Sequence, residues 1–283
     1  MRPRWLVSFA LWPRQDLERY FAPLGQPAIF ADSGAFTAMT QGARLELRDY
    51  ARWLLRWRHL FDTYANLDVI GNAEATWANQ QALEDRYGLR PLPVFHVRED
   101  WRWLDKYLGA GYDYVALGVA GLRRRAYFPW LVKAFRICTE AGARVHGFGI
   151  SDVSVLWDLP FYSVDSTSFL SGGNWGQLHL FTARDRLMTV PNCEAPRYGR
   201  LVRAHGGDPR RIALGPGHPD YNWRLPVVVD AHAFAATSRH LRRRHGLIAP
   251  PAGYREAGLV MFMAESSRPK IPFWTDCLAK EPE

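Results

Sequence analysis

The sequence predicts an α/β fold of the (β/α)8 TIM-barrel class, with a basic C-terminal extension of helical and irregular structure. Three observations predict it. Apolar strand-like runs alternate with amphipathic helix-like segments, the pattern of parallel strands joined by crossover helices. Eight candidate strands fall between residues 4 and 182, as many as a closed barrel needs. No G-x-G-x-x-G follows the first strand, so the phosphate-cradling loop of open doubly wound sheets is missing.

The elements follow in order. "RWLVSFALW" (4–12) is the first strand. With Arg2 and Arg4 beside it, it mimics a signal peptide. Its apolar run ends at Trp12, however, Pro13-Arg14 break it, and no small-residue cleavage site follows. "RQDLERYFAPLG" (14–25) is amphipathic and leads to the second strand, "PAIFADSG" (27–34). "LELRDYARWLLRWRHLF" (45–61) has three-and-four apolar spacing and reads as helix. "TYANLDVIG" (63–71) is the third strand, and "AEATWANQQALEDRYG" (73–88) a helix ended by Gly88. "RPLPVFHVRED" (90–100), "YDYVALGVAG" (112–121), "ARVHGFGIS" (143–151) and "FYSVDSTS" (161–168) are strands four to seven. Helices are expected at "DWRWLDKYLGAG" (100–111) and "YFPWLVKAFRICTEAG" (127–142). "GQLHLFT" (176–182) is the candidate eighth strand, and the core is read as residues 1–184. In 185–283 the regularity fades: "DPRRIALGPGHPDYNW" is turn-rich, "DAHAFAATSRHLRRRHG" is a basic helix, and from Pro250-Pro251 onward the chain reads as a tail packed on the barrel or partly mobile; 185–283 as a whole is read as an extension packed on the barrel and not a domain of its own.

With 283 residues and 48% hydrophobic content, a sizeable core is possible and wholesale disorder is excluded. The net charge of +8, carried mostly by Arg, suits a polyanionic partner, since the guanidinium fork bonds phosphate bidentately. Cys138, Cys193 and Cys277 are far apart and form no C-x-x-C pair, which argues against a disulfide framework and for a reducing compartment. No segment approaches the roughly 20 apolar residues of a membrane span. A soluble, cytoplasmic protein is expected, with no membrane partner and no signature of an oligomeric state.

Functional side chains of a barrel gather at the C-terminal ends of its strands. Those ends carry Asp32-Ser33-Gly34, Asp68, His96 with Arg98, Gly118 to Gly121, His146 with Gly147 and Gly149, and Asp165-Ser166. Each has a plainer reading: Asp32 and Asp165 as helix caps, Asp68 as the partner of an Arg, His96 and His146 as core histidines. Asp113 and Asp152 read as turn or helix starts. Two aspartates at matching strand ends suit chemistry at an anomeric carbon, one attacking C1′ while the other moves protons. No G-x-S-x-G supports serine chemistry. His205, His218, His232, His240 and His245 crowd the last third, but H-E-x-x-H and paired cysteines are absent, so no metal site and no cofactor are expected.

"DSGAF" (32–36), "LGVAG" (117–121), "HGFGIS" (146–151) and "VDSTSFLSGG" (164–173), in that order, resemble the tRNA-guanine transglycosylase superfamily. They look most like its short phage-type branch, which places 7-deazaguanines in DNA. The resemblance covers roughly residues 5–180. It implies a TIM barrel that exchanges guanine without breaking the strand, with Asp165 as the nucleophile on C1′ and Asp32 as general base. It further implies a base pocket of Asp68, Ser33, Gly34, His96, Gly118, Val119 and Gly149. The family has glutamine where His96 stands and a second glycine where Ala35 stands. The zinc cysteines of its tRNA enzymes are missing after Asp165. Implied partners are DNA, alternatively tRNA, and a free 7-deazaguanine such as preQ0. The modified base would lack the N7 acceptor that restriction nucleases read.

Arg123, Arg124, Arg125, Arg242 and Arg243 are candidate phosphate contacts, and Gly172, Gly173 and Asn174 a candidate nucleic-acid loop. A charge run is also read as a solvated face, and Trp175 and Trp223 as packing residues with base stacking as the alternative. Three other readings stand beside the main one: the same chemistry on tRNA, a glycoside hydrolase, and a nucleic-acid-binding barrel without catalysis.

Overall fold

The computed structural model describes residues 4–25, 27–119, 121–182, 186–215, 217–246, 248–252 and 260–264. Among these residues the strands are β1 (Arg4–Ser8), β2 (Ala28–Asp32), β3 (Thr63–Tyr64), β4 (Val94–His96), β5 (Tyr114–Gly118), β6 (Arg144–Phe148), β7 (Ser163–Ser166), β8 (Gln177–Thr182), β9 (Arg186–Pro191) and β10 (Val260–Ala264). Eight of them form one parallel sheet in the order β3-β2-β1-β10-β7-β6-β5-β4. The edge strands meet, with Ala65 bridging Leu92 in parallel and Leu92 N donating to Tyr64 O at 2.8 Å. Round the ring the strands run in chain order, which is the TIM-barrel-like arrangement expected from the alternation.

Helices cover the outside. They are α1 (Leu17–Phe21), α2 (Ala35–Thr40), α3 (Leu47–Trp57), α4 (Ala73–Tyr87), α5 (Arg102–Gly109), α6 (Arg124–Glu140), α7 (Val153–Asp158), α8 (Ser171–Trp175), α9 (Gly199–Ala204), α10 (Pro209–Ile212) and α11 (Arg224–His245). Short polar side chains start several of them: Asn72 accepts from Ala75 N at 3.0 Å, and Asp152 from Ser154 N at 2.9 Å. Gly88 ends α4 in the left-handed region that a Cβ disfavours. Apolar side chains alternate along the strands, one set facing the helices and the other the barrel interior. The interior holds Leu6, Phe30, Val94, Ala116, Tyr162 and Phe262 among others.

The eighth barrel strand is not where the sequence reading put it. Residues 177–182 do form a strand, but β8 pairs antiparallel with β9 in a hairpin outside the barrel. Only alternate residues of β8, Leu178 and Leu180, are fully buried, as suits a strand covered on one face. The eighth place belongs to β10, within the expected tail. Its "VMFMA" is continuously apolar because both faces are covered: Phe262 points inward, while Met261 and Met263 pack toward the helices. The boundary at residue 184 therefore does not bound the barrel. An insertion that runs from α8 to α11 separates β7 from β10.

That insertion has a small core of its own, including Leu178, Leu180, Val202, Ile212 and, from α11, Val229. Asp230 of α11 ties α8 and β8 to that helix by accepting from Gly172 N at 2.8 Å and His179 N at 2.5 Å. The expected basic helix at 230–246 is the C-terminal part of α11, which begins earlier, at Arg224. Among the described residues, no helix is long and apolar enough to cross a membrane. Cys138 is buried and Cys193 exposed, both as free thiols; Cys277 lies outside the described residues.

Candidate active site at the strand ends

Asp32 is the last residue of β2, His96 of β4 and Gly118 of β5, and Asp165 lies one residue from the end of β7. Parallel register sets these ends on one rim. They open into a cavity of about 560 Å³, within the range that holds a small organic ligand. Asp32, Asp68 and Asp165 all line it, with His96, Gly118, Val119 and Gly149. The two strand-end aspartates thus share one hollow, and neither caps the helix that follows it: Gly34 precedes α2 and Leu170 precedes α8.

Asp32 accepts from Gly34 N at 2.9 Å through Oδ2. Burial, then the charges of Asp68 and Asp165, push its carboxyl up from 3.8 to about 8, against the backbone bonds that favour the anion. At neutral pH the acid is therefore mostly protonated. Gly34 sits at φ +76°, and a Cβ there would lie 2.2 Å from Ser8 Oγ, so only glycine fits. Ala35, at the family's second glycine, is the first residue of α2 and needs no positive φ.

Asp68 is held by two donors, Ser33 Oγ at 3.1 Å on Oδ1 and His96 Nε2 at 2.8 Å on Oδ2. Burial by itself would lower the His96 imidazolium, but the bond to Asp68 and the charges of Asp68, Glu99 and Asp32 outweigh it and raise His96 above its ordinary value. Gly118 makes room for it, since a Cβ there would lie 2.3 Å from His96 Nδ1.

Asp165 accepts from Gly149 N at 3.0 Å through Oδ1. Gly149 takes φ +65° to present that N–H. His146 Nε2 lies 3.4 Å from the same oxygen, at ion-pair distance. Burial drives His146 below its ordinary value, more strongly than Asp165 lifts it.

Several sequence assignments change in detail. Ser33 and Gly34 do not line the cavity; they hold Asp68 and Asp32 from behind. Gly149 reaches the nucleophile candidate as well as the cavity. Gly172 and Gly173 are glycines for packing: their Cβ atoms would meet Pro226 and Val227 of α11 at 2.7 and 2.6 Å. They face that helix rather than solvent, which leaves Asn174 as the exposed member of the predicted loop. Trp175 beside it is 78% exposed, so it is no packing residue, whereas Trp223 packs on Gly173.

The arginines divide likewise. Arg123 and Arg125 are exposed at the N-terminal end of α6, just after the cavity-lining Gly121 and Leu122. Arg124 is engaged by Asp152 at 3.9 Å and Asp158 at 3.8 Å. Arg242 and Arg243 are far from the mouth. α11 starts at the mouth, against Gly172 and Gly173, and runs down the barrel. Its end docks on α7 through His245 Nε2 to Leu156 O at 2.7 Å and Arg244 over Trp157. Their candidacy rested on charge in sequence, which does not say to which end a helix brings its last turn.

Sequence reasoning missed Phe36, Tyr127 and Phe148, which also line the cavity. Phe36, 48% exposed at the mouth, follows "DSGA" directly, and that adjacency was the available signal. The late histidines serve the fold: His205 Nε2 accepts from Phe181 N at 3.1 Å, and His232 Nδ1 stands 2.9 Å from His205 O. Among the described residues, no group of three or more His, Cys, Asp or Glu side chains comes together as metal ligands do. Comparison with known families, characterised proteins and solved structures found no match for this chain.

Proposed function

We propose that the chain is a base-exchanging pentosyltransferase that replaces guanine in DNA with a 7-deazaguanine through a covalent Asp165–C1′ ester. The observation that carries this reading is the shared cavity, in which Asp165 faces an Asp32 whose carboxyl burial and neighbouring charges push up to about 8. An environment that pushes one of two carboxyls up suits that one to hold and give a proton, and leaves the attack to the other. The order of motifs from "DSGAF" to "VDSTSFLSGG" supports the substrate class.

The exchange proceeds by double displacement. The target nucleotide leaves the stack, at a cost of a few kcal/mol. Asp165 attacks C1′, the C1′–N9 bond breaks, and Asp32 gives its proton to the departing guanine. The now ionised Asp32 takes the N9 proton of the incoming base, N9 attacks C1′, and Asp165 is released with net retention. One glycosidic bond replaces another, so the exchange balances without an added oxidant, reductant or nucleoside triphosphate. Asp68, with lone pairs left beyond Ser33 and His96, is placed to accept from the N–H edge of the base, and Phe36 and Phe148 offer it flat apolar faces. Arg123, Arg125, Asn174 and Trp175 are exposed groups beyond the ends of β5 and β7 for the strand itself. The setting is the cytoplasm, as phage DNA modification against restriction would require.

Nucleoside mass spectrometry tests the proposal. Cells that make preQ0 and express the protein should carry deazaguanosine in DNA, and Asp165→Ala should abolish it. Signal in tRNA alone would transfer the same chemistry to that substrate. No signal in either, with preQ0 present, would overturn it.

A further inference from the structure

One chain of polar groups runs up the barrel interior and ends at Asp165. Tyr114 OH stands 2.5 Å from Ser163 Oγ, and Ser163 Oγ stands 2.6 Å from His146 Nδ1. His146 Nε2 has no hydrogen-bond partner and lies 3.4 Å from Asp165 Oδ1, at ion-pair distance. All of these groups are buried, and His146 and Ser163 are wholly inaccessible. The strands dictate the ladder. His146 and Ser163 are register partners on β6 and β7, and Asp165 is two residues on, hence on the same inward face. Phe30, Phe148 and Phe262 surround the imidazole, and Asp165 is the charge that acts on it.

Either direction of donation satisfies the two short contacts, and what faces Asp165 chooses between them. Tyr114 and Ser163 have one hydroxyl proton each. If Tyr114 donates to Ser163 and Ser163 to Nδ1, both short contacts are hydrogen bonds and the imidazole proton sits on Nε2, facing Asp165. With the proton on Nδ1 instead, a bare Nε2 lone pair would face a carboxylate oxygen inside an apolar shell. A doubly protonated ring is opposed by its burial.

We propose that Tyr114 and Ser163 lock His146 as the neutral Nε2–H tautomer, and that His146 is thereby a positioning residue for Asp165. Its N–H is turned toward the same Oδ1 that accepts from Gly149 N, at ion-pair distance, so Oδ2 is the oxygen left to attack C1′. In the ester, Oδ1 becomes the carbonyl oxygen, and both donors await the charge that returns to it as the C1′–O bond breaks. Such preorganised donors favour the second displacement. This catalytic consequence rests on the transglycosylase reading; the tautomer does not.

The test separates the two. In 15N-histidine protein, with the signal assigned through His146→Gln, His146 should show a protonated Nε2 and an unprotonated Nδ1 at neutral pH. Ser163→Thr and Ser163→Val have nearly the same shape and differ in the hydroxyl. Thr should keep the tautomer, and Val should lose it. In base exchange, Val should lower kcat on the order of tenfold relative to Thr with little change in KM for the base. Ester-linked nucleic acid should accumulate on denaturing gels. A proton on Nδ1 in the parent, or the same tautomer in both variants, overturns the relay whatever the activity. Equal kcat with a changed tautomer overturns the positioning role. A parent with the expected tautomer and no exchange activity supports the relay and overturns the transglycosylase reading alone.

Discussion

His96 Nε2 stands 2.8 Å from Asp68 Oδ2, beneath a glycine whose missing Cβ leaves the ring its space. The ring must move if position 118 gains a methyl group. Gly118→Ala should therefore cost about 1–3 kcal/mol of stability by overpacking and weaken binding of the free base. Denaturant unfolding and calorimetric titration with preQ0 check the two effects. Unchanged base affinity in a folded variant would remove the His96–Asp68 pair from the pocket.

The raised Asp32 carboxyl makes a stability prediction whose sign can be worked out. Between about 4 and about 8 the folded state keeps a proton that the unfolded chain has lost, so the folded state binds more protons and stability falls as pH rises. The contribution is full below the unfolded pKa and is lost through the folded one. Asp32→Asn should accordingly be more stable than the parent at pH 8, by about a kcal/mol or more after allowance for partial exposure, and equal to it near pH 4. Melting curves across that window decide it. The variant should be inactive at every pH.

Asp165→Asn keeps the shape but removes the charge and the nucleophile. Base exchange should fall about 10⁴-fold or more. The Asp32 carboxyl should also titrate lower, because one of the charges that raise it is gone. A carbon NMR titration of Asp32 gives that second readout independently of activity.

Placement along the helices predicts which arginines meet a strand. Arg123→Ala and Arg125→Ala should each weaken oligonucleotide binding and reduce the salt slope by about one. Arg242→Ala and Arg243→Ala, at the far end of α11, should leave both unchanged. Fluorescence anisotropy over a range of salt compares the four.

Phe262 is 7% exposed inside the barrel, with its ring centroid 5.5 Å from that of Phe30. Phe262→Ala should cost about 3–5 kcal/mol, as a large-to-small change in a packed core does. A solvent-facing residue of the β8–β9 hairpin, His179 excepted, should tolerate alanine within about 0.5 kcal/mol. Comparable midpoints for the two in chemical denaturation would contradict β10 as the eighth barrel strand.

Seven of the eight barrel strands, and the aspartates at their ends, were legible because both signals are local. An apolar run between helix-period segments marks a strand wherever it lies, and the residue after the run is at the strand's end. The eighth strand was not legible, since "GQLHLFT" and "VMFMA" are both adequate strands by themselves. What separates them is coverage, β8 on one face and β10 on two, and coverage comes from segments distant in sequence. The same reason divides Ser33 and Gly34, which brace the site, from Gly118, which lines it. It also hides the link from Tyr114 through Ser163 to His146, three unremarkable residues on three strands until parallel register stacks them.

The sequence by itself determined the barrel class and the set of acids at its mouth, through periodicities of two and of three to four residues that need no partner to be read. Only the tertiary structure decided which acid holds a proton, which helix end faces the mouth and which strand closes the ring. Each of those depends on burial, and burial is a property of what the rest of the chain packs against a residue.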